Sequence, residues 1–431
     1  MTIIRATVLD TPDDPFEGGR LRADASSALL VRDGRIAARG RYPELRAQYP
    51  REDSLDLSDG LLLPGFVDTH VHYPQIRAIG GLGLPLLDWL DKCALREEVR
   101  LAEDAYAAAI AKEFLTNLAA AGTTTALVFG AHYPSAMEIF FGQARVSGLN
   151  ITAGLVLSDR LLDQRLLVPP EQALADSQAL IDRWHGHGSL RYAVTPRFSF
   201  STSEEMLAVC GELMKHDEVR FTTHLNENVV EVANVAGLFP TARDYLDTYD
   251  RHGLVGRRSV FAHNVHASDQ ELEVMGAQGA WTAHCPTSNC ALGSGLFPLR
   301  RHRRFGVGVA LGSDVGAGTG LFLPKEGLQA YFMQQLLGDH GYPLTPAQLL
   351  YLCTRAGARA LALDGITGDL SVGKHFDAVL IRPSAGSALA VNIANAADAD
   401  DALARVFALG TVADVEAVWA RGRELTGAAL R

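Results

Sequence analysis

The sequence predicts an α/β fold: a closed (β/α)8 TIM barrel with a small β-sandwich domain built from both chain ends. The chain has 431 residues, too many for one ordinary core, which favours a large domain beside a smaller one. Its middle alternates apolar, β-branched runs with amphipathic stretches, whereas both ends carry short strands and glycine turns. An open doubly wound sheet is the alternative, but no Gly-x-Gly-x-x-Gly turn follows an early strand.

Eight strand-like segments define the predicted barrel. They span residues 61–72, 123–129, 151–157, 190–195, 221–224, 259–263, 280–283 and 307–312. Helix-like segments between them cover residues 103–120, 171–184, 203–216, 229–239 and 268–278. Strands that alternate with helices imply a parallel sheet, and eight such units close into a barrel.

The two ends of the chain predict the smaller domain. Residues 28–38 form a hairpin with Asp33-Gly34 at its turn, and residues 376–381 and 415–420 are strands. We expect residues 1–62 and 367–431 to build the β-sandwich and residues 63–366 to build the barrel. The stretch 384–404 is rich in Ala, Asn and Asp and is predicted to be a surface excursion.

Composition and charge narrow the class of protein. The net charge is −11, which argues against binding nucleic acid or an anionic membrane through overall electrostatics. The N-terminus lacks a signal-peptide core, and no apolar run is long enough to span a bilayer. Five sparse cysteines indicate a reducing cytoplasm, and Cys285 and Cys290 are interpreted as free thiols rather than half a zinc site. We therefore expect a cytoplasmic protein with a small-molecule partner.

Five residues spread along the chain predict one metal site: His70, His72, His224, His263 and Asp314. The first two are separated by one residue on a strand, so their side chains share a face. The others each end or follow a strand-like run, and barrel strands end at one common face. Neutral imidazoles with a carboxylate suit Zn2+ or a similar first-row divalent ion. Among the 14 histidines, His132 and His284 also fall at strand ends and are interpreted as chance cases.

Two further segments bring proton-transfer and binding groups to the same face. Glu227 lies three residues beyond His224, where a carboxylate can exchange protons with a metal-bound water. Arg197 and Phe198 end the fourth strand; the guanidinium can fork onto a carbonyl and a ring nitrogen, and the phenyl can face an aromatic ring. Alone, each would be interpreted as an ordinary loop residue.

Nearly the whole chain resembles the guanine deaminases of the amidohydrolase superfamily. The segments that carry the resemblance are PGFVDTHVHYPQ (64–75), LPLLDWL (84–90), GTTT (122–125), VTPRFS (194–199), HLNEN (224–228), AH (262–263), AHCPTSN (283–289), LGSDV (311–315) and VGKHFDA (372–378). The His-x-His and Ser-Asp elements are shared across the superfamily. Gln75 and the Pro-Arg-Phe element are more specific and indicate guanine.

The resemblance implies a role for each matching residue. It implies that His70, His72, His224 and Asp314 hold one zinc, with Fe2+ possible, while His263 stands beside the bound water or substrate. It implies that Gln75, Trp89, Arg197 and Phe198 hold the purine. Asn226 replaces a serine of many relatives and is expected to point away. The resemblance also implies a homodimer.

The implied reaction converts guanine to xanthine. Zinc lowers the pKa of its water to about 7, giving a hydroxide that attacks C2. Glu227 then carries a proton to the ring nitrogen, Asp314 takes the hydroxide's proton, and the amine leaves as ammonia. Adenine would place an amino group against Arg197 and is expected to be rejected.

Three alternative functions compete with this interpretation. A related aminohydrolase acting on 8-oxoguanine, a pterin or a triazine would share the same residues, and only kinetics on a substrate panel separates it. A two-metal dihydropyrimidinase type needs a lysine at the end of strand 4, and residues 190–200 contain none. A non-catalytic scaffold would have lost the ligand set, which is intact. The nucleoside deaminases that pair a His-x-Glu with a Pro-Cys-x-x-Cys motif are excluded, because no Pro-Cys-x-x-Cys occurs in the sequence.

Overall fold

The computed structural model describes residues 2–425, which form a parallel barrel and a small mixed sheet. The strands are β1 (Thr2–Asp10), β2 (Arg22–Arg32), β3 (Arg35–Arg41), β4 (Asp53–Pro64), β5 (Phe66–His72), β6 (Thr123–Phe129), β7 (Asn150–Gly154), β8 (Val156–Leu157), β9 (Leu190–Pro196), β10 (Arg220–Leu225), β11 (Ser259–His263), β12 (Trp281–His284), β13 (Gly308–Leu311), β14 (Ala378–Ile381), β15 (Val415–Ala420) and β16 (Arg423–Glu424).

The helices complete the βα units and cover the small sheet. They are α1 (Tyr42–Gln48), α2 (Leu86–Trp89), α3 (Leu95–Arg100), α4 (Asp104–Ala120), α5 (Pro134–Ser147), α6 (Pro170–Trp184), α7 (Glu204–Leu213), α8 (Val229–Leu238), α9 (Asp247–Asp250), α10 (Asp269–Gln278), α11 (Pro286–Ala291), α12 (Leu299–Arg304), α13 (Leu323–Leu336), α14 (Pro346–Cys353), α15 (Arg355–Ala360), α16 (Ala388–Ala394) and α17 (Ala399–Leu409). Within residues 2–425, none of these helices is both long and apolar enough to cross a bilayer.

The predicted barrel is confirmed. Its parallel strands follow the order β5-β6-β7-β9-β10-β11-β12-β13, and the short β8 pairs with β9. Between β5 and the segment after β13, the amide of Asp314 donates to the carbonyl of His70, and that of His72 donates to the carbonyl of Val315. Both bonds measure 2.8 Å and bring the two ends of the sheet together. Every residue of β5, β6 and β7 is buried, as expected for parallel strands covered on both faces.

The first predicted strand, residues 61–72, is divided in the structure. Residues up to Pro64 belong to β4 in the small sheet, and the barrel begins at Phe66. The break falls at Gly65, where an added Cβ would lie 2.1 Å from Oγ1 of Thr124 in β6. A side chain at this position would prevent the close approach of the chain to β6, so the passage between the two domains requires glycine.

The two chain ends form one β-domain, as predicted. Its strands follow the order β16-β15-β14-β4-β1-β2-β3 in a single hydrogen-bonded sheet. The predicted hairpin turn is confirmed, because Asp33 and Gly34 have φ values of 50° and 75° between β2 and β3. The predicted domain boundaries at 62/63 and 366/367 stay predictions.

Residues 384–404, predicted to be a surface excursion, are mostly exposed or half-buried, but the segment is helical. The segment contains α16 and the first part of α17, which packs against α13 and α14. Asp398 caps α17 by accepting a hydrogen bond from the amide of Asp401. Leu403, Val406 and Phe407 are buried at helical spacing, so an amphipathic face holds α17 against α13 and α14.

The contact between β7 and β9 gives a stability prediction. At Gly154, an added Cβ would lie 1.7 Å from the carbonyl oxygen of Ala193, a backbone atom that cannot rotate away. We expect Gly154→Ala to lower the free energy of unfolding by about 2 kcal/mol or more, measured by urea denaturation. Gly142→Ala in α5 is the matched control: nothing lies within 4 Å of its Cβ position, and a gain of about 0.5–1 kcal/mol is expected. Equal stability of the two variants would contradict this account of the β7–β9 contact.

Candidate active site

The five predicted metal ligands meet at the mouth formed by the carboxyl ends of the barrel strands. His70 and His72 lie on β5, His224 on β10 and His263 at the end of β11, while Asp314 follows β13. Oδ1 of Asp314 is 3.2 Å from Nε2 of both His70 and His72. Potential ligand atoms of His70, His224, His263 and Asp314 lie within 4.8 Å of one another. The convergence predicted from the strand ends is therefore present in the fold.

The chemistry of this donor set fits a divalent cation. Nε2 of His72 lies 3.1 Å from Nε2 of His70 and 3.3 Å from Nε2 of His224. Nδ1 of His224 lies 2.7 Å from the carbonyl oxygen of Arg197 and donates its proton there, so the lone pair on Nε2 faces the other rings. Burial lowers the pKa of His72 to about 4 and that of His224 well below its usual value. Neutral imidazoles whose lone pairs converge beside a carboxylate suit a divalent metal ion.

Two side chains that the sequence did not single out hold these ligands in place. Nδ1 of His263 donates to Oδ1 of Asn289 at 2.9 Å, which leaves its Nε2 3.7 Å from Oδ2 of Asp314. Oδ1 of Asp68 accepts from the backbone amides of His70 and Ser313, at 3.1 and 3.0 Å. Asp68 thus joins β5 to the segment that follows β13, where the first and last predicted ligands lie.

The backbone is strained at two of the five residues. His263 and Asp314 have φ values of 67° and 47°, in the left-handed region that non-glycine residues rarely occupy. Such conformations cost roughly 1–3 kcal/mol and persist where the surroundings impose them, which is typical of functional sites. Two hydrogen bonds help to hold these conformations. Nδ1 of His263 donates to Oδ1 of Asn289, and the amide of Asp314 donates to the carbonyl of His70.

Glu227 lies between β10 and α8, beside the donor set. It is 3% exposed, and its Oε2 is 3.5 Å from Nε2 of His263. Its Oε1 accepts a hydrogen bond from Oγ of Ser294 at 3.1 Å, and its backbone amide donates to Glu231. Burial, followed by the charge of Asp314, raises the pKa of Glu227 to about 8. A carboxyl group with this pKa can hold and release a proton near neutral pH.

One cavity joins the donor set to the predicted binding residues. Together with its solvent-filled opening it encloses about 350 Å³. Its lining residues are His72, Gln75, Leu86, Trp89, Leu90, Arg197, Phe198, His224, Glu227, His263, Leu292, Asp314 and Ala317. Apart from the fully buried His70, every residue predicted to belong to the site therefore lines this cavity. The apolar and aromatic side chains surround a few polar groups, as in sites for flat heterocycles.

Glu98 is a further component that the sequence did not reveal. It lies on α3, and its carboxylate accepts hydrogen bonds from Gln75 and Arg197 behind the cavity wall. His132, interpreted from the sequence as a chance case, lies 3.1 Å from the same carboxylate. His284, the other such case, stacks on Phe297 with 4.2 Å between ring centroids.

Two smaller sequence predictions can also be placed. Asn226 points away from the cavity, as expected, and its amide donates to Asn264 and Glu271. Cys285 and Cys290 are free thiols, as are the other three cysteines.

A barrel that gathers four imidazoles and a carboxylate at its strand ends, beside a buried glutamate, defines a metal-dependent hydrolase. Within that class the chain belongs to the amidohydrolase family, whose sequence profile matches residues 61–425. A short profile, for the imidazolonepropionase-like composite domain of bacteria, matches residues 28–51 in the small sheet.

Relatives and solved structures resemble the chain over almost its full length. A protein of Deinococcus radiodurans described as a probable guanine deaminase is 58% identical over 429 residues, 98% of each chain. The structure of E. coli guanine deaminase superposes with a TM-score of 0.94 at 34% identity, covering 98% of this chain and 99% of that one. Guanine deaminase from C. acetobutylicum, solved with guanine bound in the active site, gives a TM-score of 0.90 at 26% identity over 98% and 99% of the chains.

Proposed function

We propose that the chain is a guanine deaminase, which hydrolyses guanine to xanthine and ammonia. The observation that carries the proposal is a single cavity in which Arg197 and Gln75 face the same space as the metal donors and Glu227. The full-length similarity to guanine deaminases, one of them solved with guanine bound, supports the same substrate.

In this proposal His70, His72, His224 and Asp314 hold one divalent ion, zinc in preference to iron. His263 stands beside the reacting water and the substrate, because its Nε2 is close to both Asp314 and Glu227. When bound, the ion acts as a Lewis acid that lowers the pKa of a water molecule to about 7.

The purine is held between apolar and polar walls. Phe198 and Trp89 supply aromatic surfaces, and Arg197 and Gln75 supply polar groups on the cavity lining. Arg197 faces the edge of guanine that carries O6 and N7, both of them acceptors. Adenine has an amino group at C6, which leaves the guanidinium opposite a donor and is therefore rejected.

Two carboxylates of the chain handle the protons. As water adds to C2, Asp314 accepts its proton and Glu227 protonates the adjacent ring nitrogen. Asp314 then passes the proton it accepted to the exocyclic amine, and Glu227 takes the remaining proton of the new C2 hydroxyl. The bond between C2 and the exocyclic nitrogen breaks, and ammonia leaves with xanthine as the other product. The burial of Glu227 and its bond to Ser294 hold the carboxyl at the cavity wall throughout.

The experiment that tests this function combines a metal assay with a substrate panel. Purified protein is expected to carry about one divalent ion per chain and to deaminate guanine in preference to adenine, cytosine, 8-oxoguanine, a pterin and a triazine. Removal of the ion with a chelator should abolish turnover, and added Zn2+ should restore it. Faster turnover of another panel member than of guanine would assign the site to that substrate instead.

We also propose a cytoplasmic homodimer. The free thiols of all five cysteines suit a reducing compartment. Cell fractionation tests the location, and light scattering during size-exclusion chromatography tests the assembly.

A further inference from the structure

A buried carboxylate joins the two polar side chains of the cavity. Oε1 of Glu98 accepts a hydrogen bond from Nε2 of Gln75 at 2.7 Å. Nη1 of Arg197 lies 2.8 Å from Oε1 and 2.7 Å from Oε2 of the same group. Nε2 of His132 is 3.1 Å from Oε2. Glu98 is 2% exposed and is not among the lining residues, so its partners are side chains of the protein.

The charge of Glu98 is fixed by these partners. Burial alone raises its pKa, but the Arg197 guanidinium and the His132 hydrogen bond hold that pKa below its usual value. The group is therefore an anion at neutral pH, paired with a cation that is itself buried. Removing either member would leave an uncompensated charge, which makes this pair a fixed part of the cavity wall.

The same contacts fix the orientation of the two binding groups. The Gln75 amide donates from Nε2 to Glu98, and its Oε1 accepts from the backbone amide of Gly316 at 3.2 Å, so the amide cannot reverse. With Nη1 of Arg197 engaged by Glu98, the remaining guanidinium nitrogens are the donors left for a ligand. Binding groups held in advance lose less entropy when the ligand arrives.

The position of Glu98 in the chain adds a second connection. It lies on α3, in the excursion between β5 and α4 that also supplies Leu86 and Trp89 to the cavity wall. Arg197, by contrast, follows β9 of the barrel. The ion pair between Glu98 and Arg197 therefore connects the excursion to the barrel beside the proposed purine site.

We infer that Glu98 is a positioning residue that presents Arg197 and Gln75 as fixed donors and thereby selects a 6-oxo over a 6-amino purine. The inference rests on the proposed guanine deaminase function. It concerns selectivity rather than the proton transfers, because Glu98 lies behind Arg197 and Gln75 and not against the reacting atoms.

The test compares Glu98→Gln with the wild type on guanine and on 2,6-diaminopurine, which keeps the 2-amino group but carries an amino group at C6. For the folded, metal-loaded Glu98→Gln variant, we expect the KM for guanine to rise roughly tenfold to a hundredfold, with a smaller change in kcat. The ratio of kcat/KM for guanine to that for 2,6-diaminopurine should fall at least about tenfold. An unchanged KM and an unchanged ratio would overturn the inference and leave Glu98 a purely structural anchor.

Two further variants separate positioning from folding. Glu97→Gln is the matched control, because the neighbouring Glu97 pairs with Arg100 at 2.9 Å and should keep the wild-type KM and ratio. If Glu98→Gln does not fold, Glu98→Asp keeps the charge and withdraws the carboxylate by one methylene. It is expected to lose selectivity in the same direction, and wild-type values of both quantities would overturn the inference.

A double-mutant cycle tests whether Glu98 acts through Arg197. Added to Arg197→Gln, Glu98→Gln should raise the KM for guanine by a smaller factor than it does in the wild type, because only its contact with Gln75 remains to be lost. Full additivity of the two effects would overturn the inference. A wild type without guanine turnover would instead refute the proposed function, so the two failures are distinguishable.

Discussion

A Glu227→Gln variant is expected to keep its metal ion and to lose roughly 10²–10⁴-fold in kcat on guanine. The amide preserves the shape of the side chain but cannot release and regain a proton. Within residues 2–425, Glu227 is the one glutamate on the cavity lining, and it lies beside His263 and Asp314. Its replacement therefore removes this proton carrier from the cavity. Steady-state kinetics, with metal content measured on the same samples, tests this expectation.

The matched control is Glu273→Gln, an exposed carboxylate on α10 remote from the cavity lining. It should retain wild-type kcat and metal content. Full activity of Glu227→Gln would refute the proton-transfer role. Loss of the metal together with the activity would instead place Glu227 among the ligands, contrary to the proposed set.

An Arg197→Gln variant is expected to lose roughly 10²–10⁴-fold in kcat/KM for guanine. In the proposed complex the Arg197 guanidinium donates to O6 and N7 of guanine, and the variant lacks this donor. The substitution also leaves Glu98 without its cation, and the free energy of unfolding should fall by about 3–5 kcal/mol. Kinetics on folded protein and urea denaturation measure the two effects separately.

Arg197→Lys distinguishes charge from geometry. The ammonium can still pair with Glu98, so most of the stability should return, but a point charge cannot replace the planar fork toward the purine. We expect activity on guanine between that of Arg197→Gln and the wild type. Wild-type kcat/KM in either variant would show that Arg197 does not bind the substrate.

The convergence of the proposed metal donors could be predicted from sequence because each obeys a simple geometric rule. In a barrel, parallel strands end at one face, so His70, His224 and His263 were expected together once their strands were identified. Gln75 follows His72 by three residues, in a short 3-10 turn directly after β5. The same strand end that supplies two of the proposed metal donors therefore also supplies a polar group of the cavity lining.

Glu98 could not be found in this way. It lies in the charged run Arg96-Glu97-Glu98, where the sequence gives no sign that one glutamate pairs on the surface and the next is buried. Its partner Arg197 is 99 residues away, and only the folded excursion brings them together. Ser294 is equally hidden, since a serine between glycines in a loop is ordinary until it meets Glu227.

The missed helices near the C-terminus have a different cause. The Ala, Asn and Asp content of residues 384–404 outweighed a helical signal that was present, the spacing of Leu403, Val406 and Phe407 after the capping residue Asp398. Composition describes the exposed face of such a helix, whereas periodicity describes the buried face that decides its packing.

The measurement that tests the account most directly is the product balance of metal-loaded wild-type protein incubated with guanine. One xanthine and one ammonia should appear for each guanine consumed, and the metal-free protein should form neither. Guanine that remains unchanged in the presence of a full complement of metal would contradict the account.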